Sequence, residues 1–279
     1  MASHIVVGVD GAAPATAAVE WAAADAQRRG LNLRIVHVCE QRPHSDGIEY
    51  CTGALEAAAD RVRWLTGDVK VMTELLSGNE IKNLIVESES ADSLVLGSRG
   101  LGGFAVMMVG SVGLAVAGHA AGPVVIVPAP AVERYDTVVV GYDGSGHSEA
   151  AMAYAVEQAR ARKARLRVVF AWRVPMFSPY AVTYNSLIEV AMQDAMRVAR
   201  ERVEPWRVRN PDVDISDEQR CAHPVTALIE AGRSADLVVV GSRGVGRLAS
   251  ALLGSVSHGV LHHATCPVAV VRPYIRETT

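Results

Sequence analysis

The sequence predicts an α/β fold of two tandem doubly wound domains, and three observations predict it. Short aliphatic runs alternate with longer helical patterns along the whole chain. Runs such as Val138-Val139-Val140 and Val238-Val239-Val240 are continuous rather than alternating, which suits strands buried on both faces of a parallel sheet. The pattern also occurs twice. Ile5-Val-Val-Gly-Val-Asp-Gly returns as Val138-Val-Val-Gly-Tyr-Asp-Gly at an offset of 133, and Pro123-Val-Val-Ile-Val returns as Pro267-Val-Ala-Val-Val at an offset of 144. A period of that size is a whole domain rather than a solenoid repeat, and 279 residues suit two domains of the usual 100–200 or so.

In the first copy the runs place strands at 4–9, 32–38, 69–74, 93–97 and 123–127, with helices at 14–29, 50–65, 78–89 and 110–120. In the second, strands fall at 137–142, 166–172, 212–217, 236–241 and 267–271, and helices at 147–162, 185–207, 223–233 and 254–263. Gly30 stops the first helix, and Pro123 and Pro267 follow the fourth helix of each copy, where helices end. Strand–helix alternation implies right-handed crossovers and helices on both sheet faces. The change of offset puts eleven extra residues in copy two between its first and fourth strands, and proline-bearing 173–184 is the expected place. The domains are read as 1–130 and 134–275, joined near Ala129-Pro-Ala-Val-Glu133.

Composition narrows the function. A formal charge of −3 and a pI near 6.3 leave no basic footprint for nucleic acid and no clustered basic segment for a membrane surface. The apolar runs are too short to cross a bilayer, and the start does not read as a signal peptide. Cys39, Cys51, Cys221 and Cys266 lie far apart without paired spacing. They read as ordinary thiols rather than a zinc site or disulfide framework, with a cytoplasmic setting the simplest one.

The chemistry concentrates in a glycine phrase. Gly97 to Ser111, GSRGLGGFAVMMVGS, matches Gly241 to Ser255, GSRGVGRLASALLGS, at eight of fifteen positions. Each spells G-x-x-G, nine residues, then G-S. The first glycines end a buried strand and the second pair opens a helix. Ligands of doubly wound sheets bind outside the carboxyl ends of strands. Glycine admits positive φ and close approach, and a helix N-terminus suits phosphate. Ser111 and Ser255 are read as N-caps, as anion contacts, or as both. No P-loop occurs. A G-x-G-x-x-[G/A] match at Gly100 and at Gly244 follows the wrong strand for a dinucleotide fingerprint and lacks a ribose-binding acid.

With Val9-Asp10-Gly11, Tyr142-Asp143-Gly144, both long glycine phrases and His263-Ala-Thr-Cys-Pro267, the chain resembles, over its whole length, tandem universal stress proteins of the ATP-binding type. The resemblance implies a five-stranded parallel sheet of order 3-2-1-4-5 per domain. It implies last strands that meet edge to edge within one chain, and a second pairing of two chains into a homodimer. It places Asp10 and Asp143 at the adenosine end of a bound ATP, after Gly8 and Val9 or Gly141 and Tyr142, with Val38 and Ala171 offering backbone groups to adenine. Gly97, Gly100, Gly110, Ser111 and Val112 would surround ribose and phosphates in copy one. Gly241, Gly244, Gly254, Ser255 and Val256 would do so in copy two. Arg99 and Arg243 face either phosphate or solvent, and Mg2+ would ride mainly on the phosphates. Copy one has Ala12 and Ala15 where copy two has Ser145 and Ser148, which makes copy two the more secure site.

Other clusters weigh less. His258 and His262 sit at i, i+4 with His263 beside them, a spacing that can bind metal. Copy one has Leu114, Gly118 and His119 at the matching places, so a helix-face or packing role is the plainer reading. Met107-Met108 and the four tryptophans read as packing. No nucleophile–base pair and no G-x-S-x-G elbow occur, and one aspartate per site is thin support for hydrolysis. The leading expectation is therefore a nucleotide-dependent regulator with little or no hydrolysis, acting on a protein partner. An ATP hydrolase or adenylyl-transferring enzyme, and a scaffold that binds no nucleotide, are the alternatives.

Overall fold

The computed structural model describes residues 3–39, 45–98, 109–128, 133–172, 185–244 and 253–273. The first half runs β1 (His4–Gly8), α1 (Ala13–Arg29), β2 (Asn32–Cys39), α2 (Ser45–Thr66), β3 (Val71–Ser77), α3 (Glu80–Ser90), β4 (Ser93–Gly97), α4 (Ser111–His119) and β5 (Val124–Val127). The second runs β6 (Thr137–Gly141), α5 (Gly146–Arg162), β7 (Arg165–Trp172), α6 (Asn185–Arg209), β8 (Ile215–Cys221), α7 (Pro224–Gly232), β9 (Leu237–Gly241), α8 (Ser255–His263) and β10 (Val268–Val271).

All ten strands join one sheet of order β3-β2-β1-β4-β5-β10-β9-β6-β7-β8. Each half therefore has the order 3-2-1-4-5, and the halves meet at their last strands. Within each half the pairing is parallel, while β5 and β10 pair antiparallel with Ala269 opposite Val125. The runs VVIV and VAVV are buried at every position, as their continuous aliphatic character requires of strands covered on both faces. One core lies under α1, α2, α5 and α6, and the other under α3, α4, α7 and α8.

The halves are also tied through α1 and α5. Asp25, fully buried on α1, accepts from Arg162 Nη1 at 2.7 Å and from Gln158 Nε2 at 3.1 Å, both on α5. Arg29 reaches Asp25 at 3.5 Å and Asp92 at 2.6 Å. Burial pushes the Asp25 carboxyl up, but Arg162, Arg29 and Arg28 together hold it below the usual carboxylate range. Asp25 and Gln158 are equivalent positions of the repeat, as are Arg29 and Arg162. The pseudo-dyad thus carries one carboxylate among cations and an amide, and Arg162 also lies 5.2 Å over the Trp21 ring.

The outer strands depart from the sequence reading. β3 and β8 run to Ser77 and Cys221 rather than ending near 74 and 217. Their C-terminal parts carry polar residues such as Asp217-Glu218-Gln219-Arg220 and no aliphatic run, because an edge strand has one face to spare. Those faces are laced with ion pairs: Arg34 with Glu74, Arg207 with Asp217 at 2.5 Å, Arg167 with Glu218 at 2.7 Å. The repeat offset is 133 from β2 to β7 and 144 from β3 to β8, so the eleven extra residues lie between β7 and β8. Residues 173–184 lie outside the described residues, as do 129–132, Arg99, Gly100 and Met107-Met108.

Not all cysteines are isolated thiols, contrary to the spacing argument. Cys39 ends β2 and Cys51 lies on α2, and the two are joined as a disulfide with Cα atoms 7.2 Å apart. A twelve-residue separation hid the pairing because α2 folds back over β2. Cys221 is free and exposed, and Cys266 is free and buried. No helix among the described residues is long and apolar enough to cross a membrane.

Candidate functional site

The glycine loops start where β4 and β9 end, and both are closed in the same way. Gly110 N–H donates to the Ser98 carbonyl at 2.8 Å, and Gly254 N–H donates to the Ser242 carbonyl at 2.8 Å. The serines are in turn held by the last strand of each half, through Ser98 N–H to Val127 and Ser242 N–H to Val271. Both are buried. Sequence reasoning had passed over these residues, yet they fix the distance between strand end and helix start.

The glycines serve different needs from those expected. Positive φ occurs at Gly11 and Gly144, in the turns after Asp10 and Asp143, and not at Gly97, Gly110, Gly241 or Gly254. A Cβ on Gly97 would stand 2.7 Å from the Pro14 backbone, and one on Gly241 would stand 2.8 Å from His147 backbone. Those two glycines let the first turn of α1 or α5 press against the strand end, a packing role. A Cβ on Gly244 would meet Asp143 Oδ2 at 2.5 Å, and one on Gly254 would meet Arg243 Cα at 3.2 Å. These two belong to the crevice itself.

Ser111 and Ser255 are not N-caps. Gly110 and Gly254 hold that position with no side-chain cap bond, and each serine is the first helical residue and exposed. The orphan N–H groups at these helix starts are therefore left without a local side-chain acceptor. At the preceding helices the pattern differs by copy. Asp10 Oδ1 accepts from Ala12 N–H and Asp143 Oδ1 from Ser145 N–H, both at 2.9 Å. Ser145 also caps α5 by accepting from Ser148 N–H at 3.2 Å, while Ala12 offers α1 nothing.

In copy two the structure gathers Gly141, Tyr142, Asp143, Ala171, Gly241, Arg243, Gly244, Gly254, Ser255 and Val256 around one cavity of about 370 Å³. Ser148, Pro224, Leu228 and Ser257 complete its wall. Leu228 comes from α7, an element carrying no motif, so sequence gave no sign of it. The Tyr142 ring points elsewhere, packed edge-on against Phe170 at 5.3 Å and bonded to Glu149. The cavity carries a positive rim. Arg243 Nε is buried without a hydrogen-bond partner among the described residues. Burial, Arg243 and Arg272 all push the His147 imidazole below its ordinary value.

In copy one Gly8, Val9, Asp10, Val38, Gly97, Gly110, Ser111 and Val112 take the equivalent places on β1, β2, β4 and α4, while Arg99 and Gly100 lie outside the described residues. Val9 also lines a cavity of about 500 Å³ between α1 and α2, walled by Ala12, Ala15, Tyr50 and Ala54. It lies on the other sheet face from the start of α4. Tyr50 donates to the Asp10 carbonyl there at 3.3 Å. On α8 the His258 and His262 rings lie 4.5 Å apart, tilted at 56°, and the only trio of close ligating atoms among the described residues is His37, Cys39 and Cys51.

Fold and site together define a tandem doubly wound α/β protein with a glycine-bearing crevice at the switch point between the first and fourth strands. The profile of the universal stress protein family matches residues 1–128 and again 134–272, and the chain belongs to that family. It is 34% identical to universal stress protein Rv2005c of Mycobacterium tuberculosis over 96% of both chains. It is 32% identical to a universal stress protein of Mycolicibacterium smegmatis over 96% of this chain and 97% of that one. A crystal structure of a universal stress protein from Archaeoglobus fulgidus shares the fold at a TM-score of 0.71, with 20% identity over 96% of each chain.

Proposed function

We propose that the protein is a nucleotide-dependent regulator whose copy-two crevice binds ATP. One observation carries this reading: residues of the repeated phrase converge on one cavity, lined by Gly241, Gly244, Gly254 and Ser255, and Arg243 there has a buried Nε with no hydrogen-bond partner among the described residues. A guanidinium N–H in that position asks for an oxyanion, and uncapped N–H groups at the start of α8 supply further donors. Ala171 at the end of β7 and Leu228 suit an adenine at the other end. Asp143 is the single carboxylate of the wall, so Mg2+ would be held mainly by the phosphates, with Asp143 the one protein group able to approach it.

Catalysis is not part of the proposal. Asp143 is engaged with the Ser145 N–H, and among the described residues no second carboxylate or histidine lines the cavity to activate water. Occupancy instead stabilises the closed loop and biases the surface around α8, which a protein partner reads; two chains pair as a homodimer.

The test is titration calorimetry of the purified protein with ATP and Mg2+, with Gly244→Glu alongside. Wild type should bind. The variant places a carboxylate beside Asp143 and the phosphates and should lose binding in copy two. Wild type that binds no adenine nucleotide, and carries none on denaturation, would overturn the reading. Steady phosphate release abolished by Asp143→Asn with binding retained would move the protein into the enzymes.

A further inference from the structure

Copy one carries a cluster that copy two lacks. His37 and Cys39 alternate on β2 with Leu33 and Ile35, so all four face α2, and Cys51 comes down from α2 to meet them. All three are buried, with exposures of 6%, 8% and 7%. A ligating nitrogen of His37 and the two sulfurs lie within 4.8 Å of one another. The backbone of Val9 engages the ring, yet His37 Nδ1 has no hydrogen-bond partner. Among the described residues the ring is thus held through Nε2 with the buried Nδ1 lone pair unused, the arrangement by which backbone carbonyls orient ligating histidines. At the matching places copy two has Phe170 and Trp172, an ordinary apolar core.

We propose that His37, Cys39 and Cys51 form a binding site for a soft metal ion, of the zinc or copper(I) class, in the reduced protein. Two thiolates and one neutral imidazole are the ligands such ions select. Their Cα atoms argue for it as well: the 7.2 Å between Cys39 and Cys51 exceeds the roughly 4.4–6.8 Å that a relaxed disulfide spans, and an ion between two sulfurs widens the pair. Binding releases the two thiol protons to solvent and leaves the fourth position of a tetrahedral ion open. Metal and disulfide exclude each other. In the loaded site a peroxide takes two electrons from the two thiolates and two protons from solvent, leaves as two waters as the S–S bond forms, and the ion is released to solvent. The ion would also tie the end of β2, next to Val38, to α2, an effect confined to copy one.

The full-length protein, reduced and stripped of metal, is titrated with Co2+ and then Zn2+ alone. One Co2+ per chain should bind with a thiolate charge-transfer band, and Zn2+ should displace it. Pretreatment with hydrogen peroxide, removed before titration, should abolish the band in wild type, with no substitution involved. Changing outer-shell partners of a metal commonly costs about 10–100-fold in affinity, so loss of a ligand in Cys51→Ser or His37→Gln should cost at least about 100-fold. Cys221→Ser should change nothing. Absence of a Co2+ band in reduced wild type overturns the proposal. So does a band that survives both peroxide and Cys51→Ser, or one lost in Cys221→Ser.

Discussion

At the start of α5, Ser145 caps the helix and Ser148 returns its hydroxyl to the Ser145 carbonyl at 3.0 Å. At the start of α1 the equivalent positions are Ala12 and Ala15, and the turn is held by the Asp10 carboxylate, which accepts from Ala12 N–H, and by Tyr50, which donates to the Asp10 carbonyl. Behind the strand end, copy two packs Phe170 against Tyr142. Copy one has His37 beneath Val9 and two cysteines beyond it. Yet both loops close on the same backbone bond, at the same 2.8 Å. The duplication has kept the main-chain frame of the crevice and let the side chains behind it diverge. Shared geometry is thus evidence for a common scaffold, and the divergence marks where each half has acquired its own role.

The sharpest way to break the comparison is at the pseudo-dyad, where equivalence itself is broken. Asp25→Ala removes the buried carboxylate between the halves and leaves Arg162 buried without that counter-charge. Such a loss typically costs about 3–5 kcal/mol, and chemical denaturation followed by circular dichroism should show it. Gln158→Ala, at the equivalent position, removes no charge, only the hydrogen bonds to Asp25, Arg162 and Tyr154, and should cost less than Asp25→Ala. Equal losses in the two variants would mean that the charge does not hold the halves together.

A smaller effect tests the caps. Ser145→Ala should destabilise by about 1 kcal/mol, the usual cost of a lost N-cap, and Ala12→Ser should recover part of that amount in copy one. Thermal melts of the two variants and their combination measure both. No change in either would show the helix starts to be equivalent after all.

The smallest effect is one of pH. Burial, Arg243 and Arg272 lower the His147 pKa, and burial lowers His37 despite the pull of Asp10. A histidine with a lowered folded pKa contributes stability that is present above its unfolded value of 6.5 and is lost as pH falls through the folded value. Melting temperature should therefore decline on acidification below about 6.5. His147→Gln should flatten part of that decline, and an unchanged slope would remove His147 as its source.

Much of this was legible in the sequence, and the reason is physical. Central strands buried on both faces must be continuous aliphatic runs, so β1, β4, β5 and their copies announced themselves. The turn after β1 needs an Asx acceptor and a positive-φ glycine, and Asp10-Gly11 and Asp143-Gly144 spelled both. What escaped was whatever depends on a second element. Gly97 and Gly241 looked like ligand glycines, but their smallness serves the turn of α1 and α5 packed on them. Ser111 and Ser255 looked like caps, while each helix begins at the serine itself, one residue earlier than a serine cap requires. Leu228 and the Cys39–Cys51 pair are set by how α7 and α2 lie across the sheet, which no local pattern encodes.

The antiparallel seam of β5 and β10 has one more consequence. Each half spends its only smooth, fully aliphatic border on the other, so the chain presents to the outside just two ribbons, β3 and β8, with Glu74, Asp217 and Glu218 locked to arginines along them. Such ribbons repel annealing by a further strand. A companion copy must therefore approach over the helical flanks, and growth into an endless sheet is closed off at both ends.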